Sequence, residues 1–225
     1  MAQRSKRYQT AVKKVDSSRD YSLEEAVEKV KETATTKFES TIEIHANLGI
    51  DPRQGDQQVR GSLLLPHGTG KTQKVAVFTT NPEAAKKAGA DIAGGDDLIK
   101  EIQTTKKIGF DIAIAEPALM KSMAVIAKIL GPKGLMPSPK SGTVTQDIEK
   151  AIAEIKQGRV SFKNDDTGNV HVAVGRSSFS SADLLENIQA FIDILKRMKP
   201  DGSKGLFIHK VTISSTMGPS VRIRV

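Results

Sequence analysis

The sequence predicts a mixed α/β chain in which an α+β domain formed by both chain ends encloses an inserted α/β Rossmann-like three-layer domain. Three observations carry this expectation. Residues 41–48 alternate strictly, with Ile42, Ile44, Ala46 and Leu48 apolar and Thr41, Glu43, His45 and Asn47 polar; successive strand side chains point to opposite faces, so one half-buried strand follows. Residues 75–79, 90–93 and 111–115 are instead short apolar runs separated by helical patterns, the grammar of a parallel sheet covered on both faces. Beyond Gly158 the alternating grammar returns. The expected domains are therefore 1–66 with 159–225, and 67–158 between them, joined by two crossings near 66–70 and 156–159 whose glycines suit a hinge.

Helices are expected over 3–15 and 22–35. Ser22 is a good N-cap, and Glu25 three residues later completes a capping box before Ala26, Val27 and Val30. After the 40–48 strand, Gly49-Ile50-Asp51-Pro52-Arg53 must turn, because proline lacks the amide donor and pushes the preceding residue out of helical geometry. Val59–Leu65 returns to strand character. In the middle region, helices are expected over 82–88, 96–104, 117–130 and 145–157, the first opened by Pro82. Residues 159–162 and 169–174 read as a hairpin through Asn164-Asp165-Asp166-Thr167-Gly168. A helix over 180–198 follows, with Leu184, Leu185, Ile188, Phe191, Ile192 and Leu195 on one face. Two last strands, near 206–214 and 220–224, flank Ser215-Thr216-Met217-Gly218-Pro219.

The 225 residues carry a net charge of +8, no cysteine and 38% hydrophobic residues. Disulfides, thiol catalysis and cysteine-bound metal are excluded. No apolar run approaches the roughly 20 residues of a membrane helix, and no apolar signal region follows the basic start, so a cytoplasmic protein with no membrane partner is expected. The positive charge points to a polyanionic partner, most simply nucleic acid. Residues 1–19 concentrate it, with Arg4, Lys6, Arg7, Lys13, Lys14 and Arg19 against Asp16. Aromatic residues make up only 4% of the chain, which argues against base stacking along a single strand.

Gly68-Thr69-Gly70-Lys71-Thr72 raises an alternative, a nucleotide-binding enzyme. A phosphate-cradling loop needs glycine where Leu65 stands, so a linker fits better. The glycines at 89, 94 and 95 miss the dinucleotide spacing, and no cofactor is expected. His45, His67, His171 and His209 lack ligand spacing, and no metal or catalytic residue is expected. Taken alone, Lys37 and Phe38 read as a solvated charge and a core residue, ahead of an RNA-gripping surface.

The compound motifs Lys37-Phe38-Glu39-Ser40-Thr41, Gly49-Ile50-Asp51-Pro52-Arg53, Leu65-Pro66-His67-Gly68-Thr69-Gly70-Lys71, Ile129-Leu130-Gly131-Pro132-Lys133-Gly134-Leu135-Met136-Pro137 and Ser214-Ser215-Thr216-Met217-Gly218-Pro219 resemble, in order and over nearly the whole chain, the family of large-ribosomal-subunit protein one, in its bacterial length. The resemblance implies a non-enzymatic protein of the large ribosomal subunit, associated with the ribosome in the cytoplasm. It would bind large-subunit rRNA in the mobile side stalk, assist movement and release of exit-site tRNA, and repress translation of its own operon mRNA. Carried over residue by residue, the RNA-binding surface falls on Lys37, Phe38, Thr41, Thr216, Met217 and Gly218. Lys210 stands where some relatives have a small hydroxyl residue, so it is not included. Shape readout of structured RNA suits these residue types, since double-helical RNA shows proteins its phosphates and 2′-hydroxyls across a shallow groove.

Overall fold

The computed structural model describes residues 4–200, 202–203 and 205–224; the expected helix start at Gln3 lies outside them. In chain order the elements are α1 (Lys6–Val12), α2 (Leu23–Thr33), β1 (Thr41–Leu48), β2 (Arg60–Leu64), β3 (Val75–Phe78), α3 (Pro82–Lys87), β4 (Ile92–Gly94), α4 (Asp96–Thr105), β5 (Ile112–Ala115), α5 (Met120–Met123), α6 (Ala127–Leu130), α7 (Ile148–Lys156), β6 (Arg159–Lys163), β7 (Asn169–Arg176), α8 (Ser181–Arg197), β8 (Ile208–Ser215) and β9 (Ser220–Ile223). The chain divides into two compact units, Met1–Gly70 with Val160–Val225, and Lys71–Arg159.

The chain-end unit is organised by β1. It lies inside a four-stranded sheet of order β7-β1-β8-β9 whose β1 pairings are antiparallel on both sides. Ile42, Ile44, Ala46 and Leu48 are all buried on one face. Against that face pack Ala26, Val27 and Val30 of α2 and Leu184, Ile188, Phe191, Ile192 and Leu195 of α8, in one continuous core. Each fully buried valine, leucine, isoleucine or phenylalanine among them contributes about 1.5–3 kcal/mol relative to exposure. Both helices begin on capping boxes, Ser22 with Glu25 and Ser180 with Asp183, which satisfy amides that would otherwise lack partners.

One pairing differs from expectation. Residues 159–163 and 169–176 do not form a hairpin: β6 pairs with β2 in a separate two-stranded sheet, while β7 pairs with β1. Asn164 causes the divergence, because its Oδ1 accepts from Val59 N–H at 2.9 Å and its N–H donates to the Val59 carbonyl at 3.0 Å. Asp165 then folds the intervening loop on itself. Burial pushes its carboxyl pKa up, but hydrogen bonds from the Asn169 and Thr167 amides and side chains outweigh this and hold it well below the usual carboxylate range.

The second unit contains a parallel sheet of order β4-β3-β5. β3 is buried throughout, with Ala76 and Phe78 facing one apolar cluster and Val75 and Val77 another. The first cluster holds α4 and residues 117–130; the second holds α3 and α7. The single helix expected over 117–130 is instead α5 and α6 alternating with two 3₁₀ turns, Pro117–Leu119 and Ala124–Ile126. Leu119, Met123, Ile126 and Leu130 nevertheless keep helical spacing and are all buried.

Candidate nucleic-acid interface

The six residues singled out from the sequence lie on two segments, 37–41 and 216–218, and the sheet brings these together. β1 and β8 are antiparallel neighbours with Ile42 opposite Ser215, so the start of β1 meets the turn that leaves β8. Thr41 and Thr216 close the junction. Thr41 N–H donates to Thr216 Oγ1 at 3.1 Å, Thr216 N–H donates to the Thr41 carbonyl at 2.9 Å, and Thr216 Oγ1 donates to the same carbonyl at 3.2 Å. The Thr216 hydroxyl is thus committed within the protein and works as a clasp between the two segments.

The turn itself is unusual. Gly218 N–H donates to the Ser215 carbonyl at 2.8 Å, and Met217, third of the four residues, has φ +64°. A type II turn places glycine or asparagine there, since an L side chain in the left-handed region costs about 1–2 kcal/mol. Met217 is 66% exposed and gains no packing in return. A Cβ on Gly218 would overlap Ser215 Oγ, so glycine is required for the turn to close over Ser215. Ser215 Oγ and Ser40 Oγ, both buried beside the clasp, have no hydrogen-bond partner among the described residues. An exposed left-handed methionine and two unpaired buried hydroxyls make this a point where local stability is given up, the pattern of a functional surface.

Phe38 is 55% exposed, so it is not a core residue. Its carbonyl accepts from Thr36 Oγ1 at 2.8 Å, which shapes the loop that presents it. Lys37 is exposed and, among the described residues, has no hydrogen-bond or ion-pair partner. Two cations join the same region that sequence reasoning did not place there. Arg176 of β7 is paired in register with Thr41 and reaches the Glu39 carbonyl at 3.5 Å. Arg7 of α1 donates to the Met217 carbonyl at 2.8 Å and to Thr35 Oγ1 at 3.3 Å. The excess of basic residues over 1–19 was the available signal for Arg7; nothing local pointed to its partner 210 positions away.

From this corner the polar face of the sheet continues along β1. Glu43 lies opposite Ser214, His45 opposite His171 and Thr212, and Asn47 opposite Asn169 and Lys210. Two of the four histidines without ligand spacing are neighbours: His45 Nδ1 and His171 Nδ1 are 2.8 Å apart, and His45 Nε2 is 3.0 Å from Ser214 Oγ. Burial, helped by His171, holds the His45 pKa below its ordinary value. The pair is a hydrogen-bonded couple; among the described residues no group of three or more side chains is arranged to hold a metal ion.

The Gly68–Thr72 segment is not a phosphate cradle. A phosphate loop runs from a strand into a helix, whereas this one runs into β3. Asn187 of α8 occupies its polar groups, accepting from His67 N–H at 3.1 Å and donating to the Gly68 carbonyl at 3.0 Å.

An exposed lysine, two partly buried arginines, an exposed aromatic and a backbone turn gathered at the edge of a polar sheet face form the type of surface by which nucleic-acid-binding proteins hold a phosphate backbone. Residues 30–219 match the family described as Ribosomal protein L1p/L10e, and the chain belongs to that family. It is 49% identical over 226 residues, covering all of both chains, to a Mesoplasma florum protein named large ribosomal subunit protein uL1. Proteins of the same name from Mycoplasma capricolum and Thermosipho africanus are 49% and 48% identical over nearly their whole lengths. None of these relatives is named as an enzyme.

Proposed function

We propose that this chain is a cytoplasmic, ribosome-associated protein of the large subunit that binds large-subunit rRNA in the mobile side stalk through Lys37, Phe38, Thr41, Thr216, Met217 and Gly218. In this reading the chain-end unit is the RNA-binding domain and the unit between is its insert. The same surface serves a second RNA, the operon mRNA, whose translation it represses, and the stalk assists movement and release of exit-site tRNA. The observation that carries the reading is the clasp at Thr41 and Thr216, which turns two segments 175 residues apart into one exposed surface. Lys37 neutralises phosphate, which makes affinity fall with salt. Phe38 and Met217 supply apolar area against ribose, and the segment near Gly218 lets backbone approach the RNA. The clasp holds these groups in register.

Binding of the full chain to a side-stalk fragment of large-subunit rRNA tests this, with co-sedimentation on large subunits as the cellular counterpart. Thr216→Val removes a hydroxyl that both donates and accepts, leaving Thr41 N–H without its partner, and is expected to weaken binding by about 1–3 kcal/mol. Unchanged affinity would remove the clasp from the site.

A further inference from the structure

We infer that Arg7 is a positioning residue of the RNA surface and that α1 is that surface's third element, an inference that rests on the RNA-binding reading above. One guanidinium bridges both halves of the site. Its Nη2 holds the Met217 carbonyl at 2.8 Å, and its Nη1 holds Thr35 Oγ1 at 3.3 Å, at the base of the loop that presents Lys37 and Phe38. The clasp fixes where strand and turn meet; Arg7 fixes where the tips of loop and turn lie relative to each other. The turn needs such support, because Met217 sits in the left-handed region and is exposed, with no packing of its own to hold it there.

α1 is fastened firmly enough to serve as the anchor. Ser5 caps it by accepting from Tyr8 N–H, Ala11 and Val15 are buried, and Lys14 pairs with Glu32 of α2 at 3.0 Å. Arginine suits the position better than lysine. Its planar fork spans two acceptors in fixed directions, and a guanidinium carries five N–H donors, so those not engaged by Met217 and Thr35 remain for a phosphate. Lys6 and Arg4, exposed on the same short helix and its N-terminal flank, add positive potential beside the turn.

The test is equilibrium binding of the full chain to the same rRNA fragment over a salt series, for wild type, Arg7→Lys, Arg7→Gln and Thr35→Ala, with melting temperatures recorded for each. Both Arg7 variants are expected to weaken binding roughly tenfold or more, the size of a lost charge-assisted hydrogen bond. Arg7→Lys should retain the wild-type salt slope, since the charge remains; Arg7→Gln should lower it by about one. Thr35→Ala keeps both charge and fold and should weaken binding a few-fold with an unchanged slope. Wild-type affinity for Arg7→Lys would reduce Arg7 to a point charge and overturn the positioning role. Wild-type affinity and slope for Arg7→Gln would place α1 outside the surface, while a weakened Thr216→Val in the same assay would leave the RNA reading standing. Failure of the wild-type chain to bind would overturn the reading and this inference together.

Discussion

The two units reach stability by different routes. In the chain-end unit an eight-residue strand is paired on both edges, a 17-residue helix lies across it, and a single core joins sheet and helices. In the second unit the strands are three or four residues long, the helix after β5 breaks into short turns, and two smaller clusters lie on opposite faces of the sheet. Long antiparallel pairing with one face left polar gives a rigid plate with an open side. A short parallel sheet buried on both faces has no such side to offer. The candidate site follows this difference: it lies where the plate's central strand begins, and its costs, a left-handed methionine and two unpaired hydroxyls, are set against a large core.

The largest effect is expected from damaging each core in turn. Ile44 and Ile114 are both fully buried, one in each unit. Truncation to alanine is expected to cost about 2–5 kcal/mol in either case. Ile44→Ala should abolish rRNA binding as well as lower the melting temperature, because β1 carries the site. Ile114→Ala should destabilise its own unit and leave rRNA affinity near wild type. Loss of binding in Ile114→Ala would show that the site depends on the second unit and would dissolve the contrast.

A smaller effect tests the site without touching either core. Gly218→Ala forces a methyl group onto Ser215 Oγ, so the turn must open or Ser215 must move. Overpacking of this kind costs about 1–3 kcal/mol. Binding should suffer more than melting, since the turn is peripheral to the core and central to the surface. Equal affinity for variant and wild type would show that the turn's closed geometry is irrelevant to RNA.

Features set by local sequence were legible before the structure; features set by distant partners were not. The alternation over 41–48 was readable because one face of β1 is buried and the other is not, and the capping box at Ser22 was readable because it is local. The turn residues at 164–168 announced a hairpin, but no local feature says that Asn164 engages Val59, 105 positions back. Residues 117–130 have the apolar spacing of one helix, and spacing cannot distinguish a continuous helix from fragments that bury the same side chains. Within the site, the motif residues were named from resemblance, and their convergence required the β1–β8 register. Met217's left-handed backbone was hidden for a plainer reason: methionine is not a residue that announces positive φ, as glycine or asparagine would.

The smallest effect is expected from a histidine that labels the unfolding of one unit. His67 Nε2 lies 2.7 Å from Glu186 Oε2, and its Nδ1 lies 3.7 Å from Asp183 Oδ1, both on α8 of the chain-end unit. The hydrogen bond to Glu186, with a further contribution from the Asp183 charge, raises its pKa above the ordinary histidine value. A raised folded-state pKa means that folding favours the protonated ring. The resulting stabilisation is complete below the unfolded-state value of about 6.5 and fades as pH rises through the higher folded-state value. Both partners are solvent-exposed, so the effect is small and screened by salt. Melting of the chain-end unit should therefore decline between pH 6 and pH 8 in wild type and decline less in His67→Gln, which keeps the backbone bond from residue 67 to Asn187. Any separate transition of the second unit should show the same pH dependence in both proteins. Equal slopes for the chain-end transition would mean that His67 does no more than sit near α8.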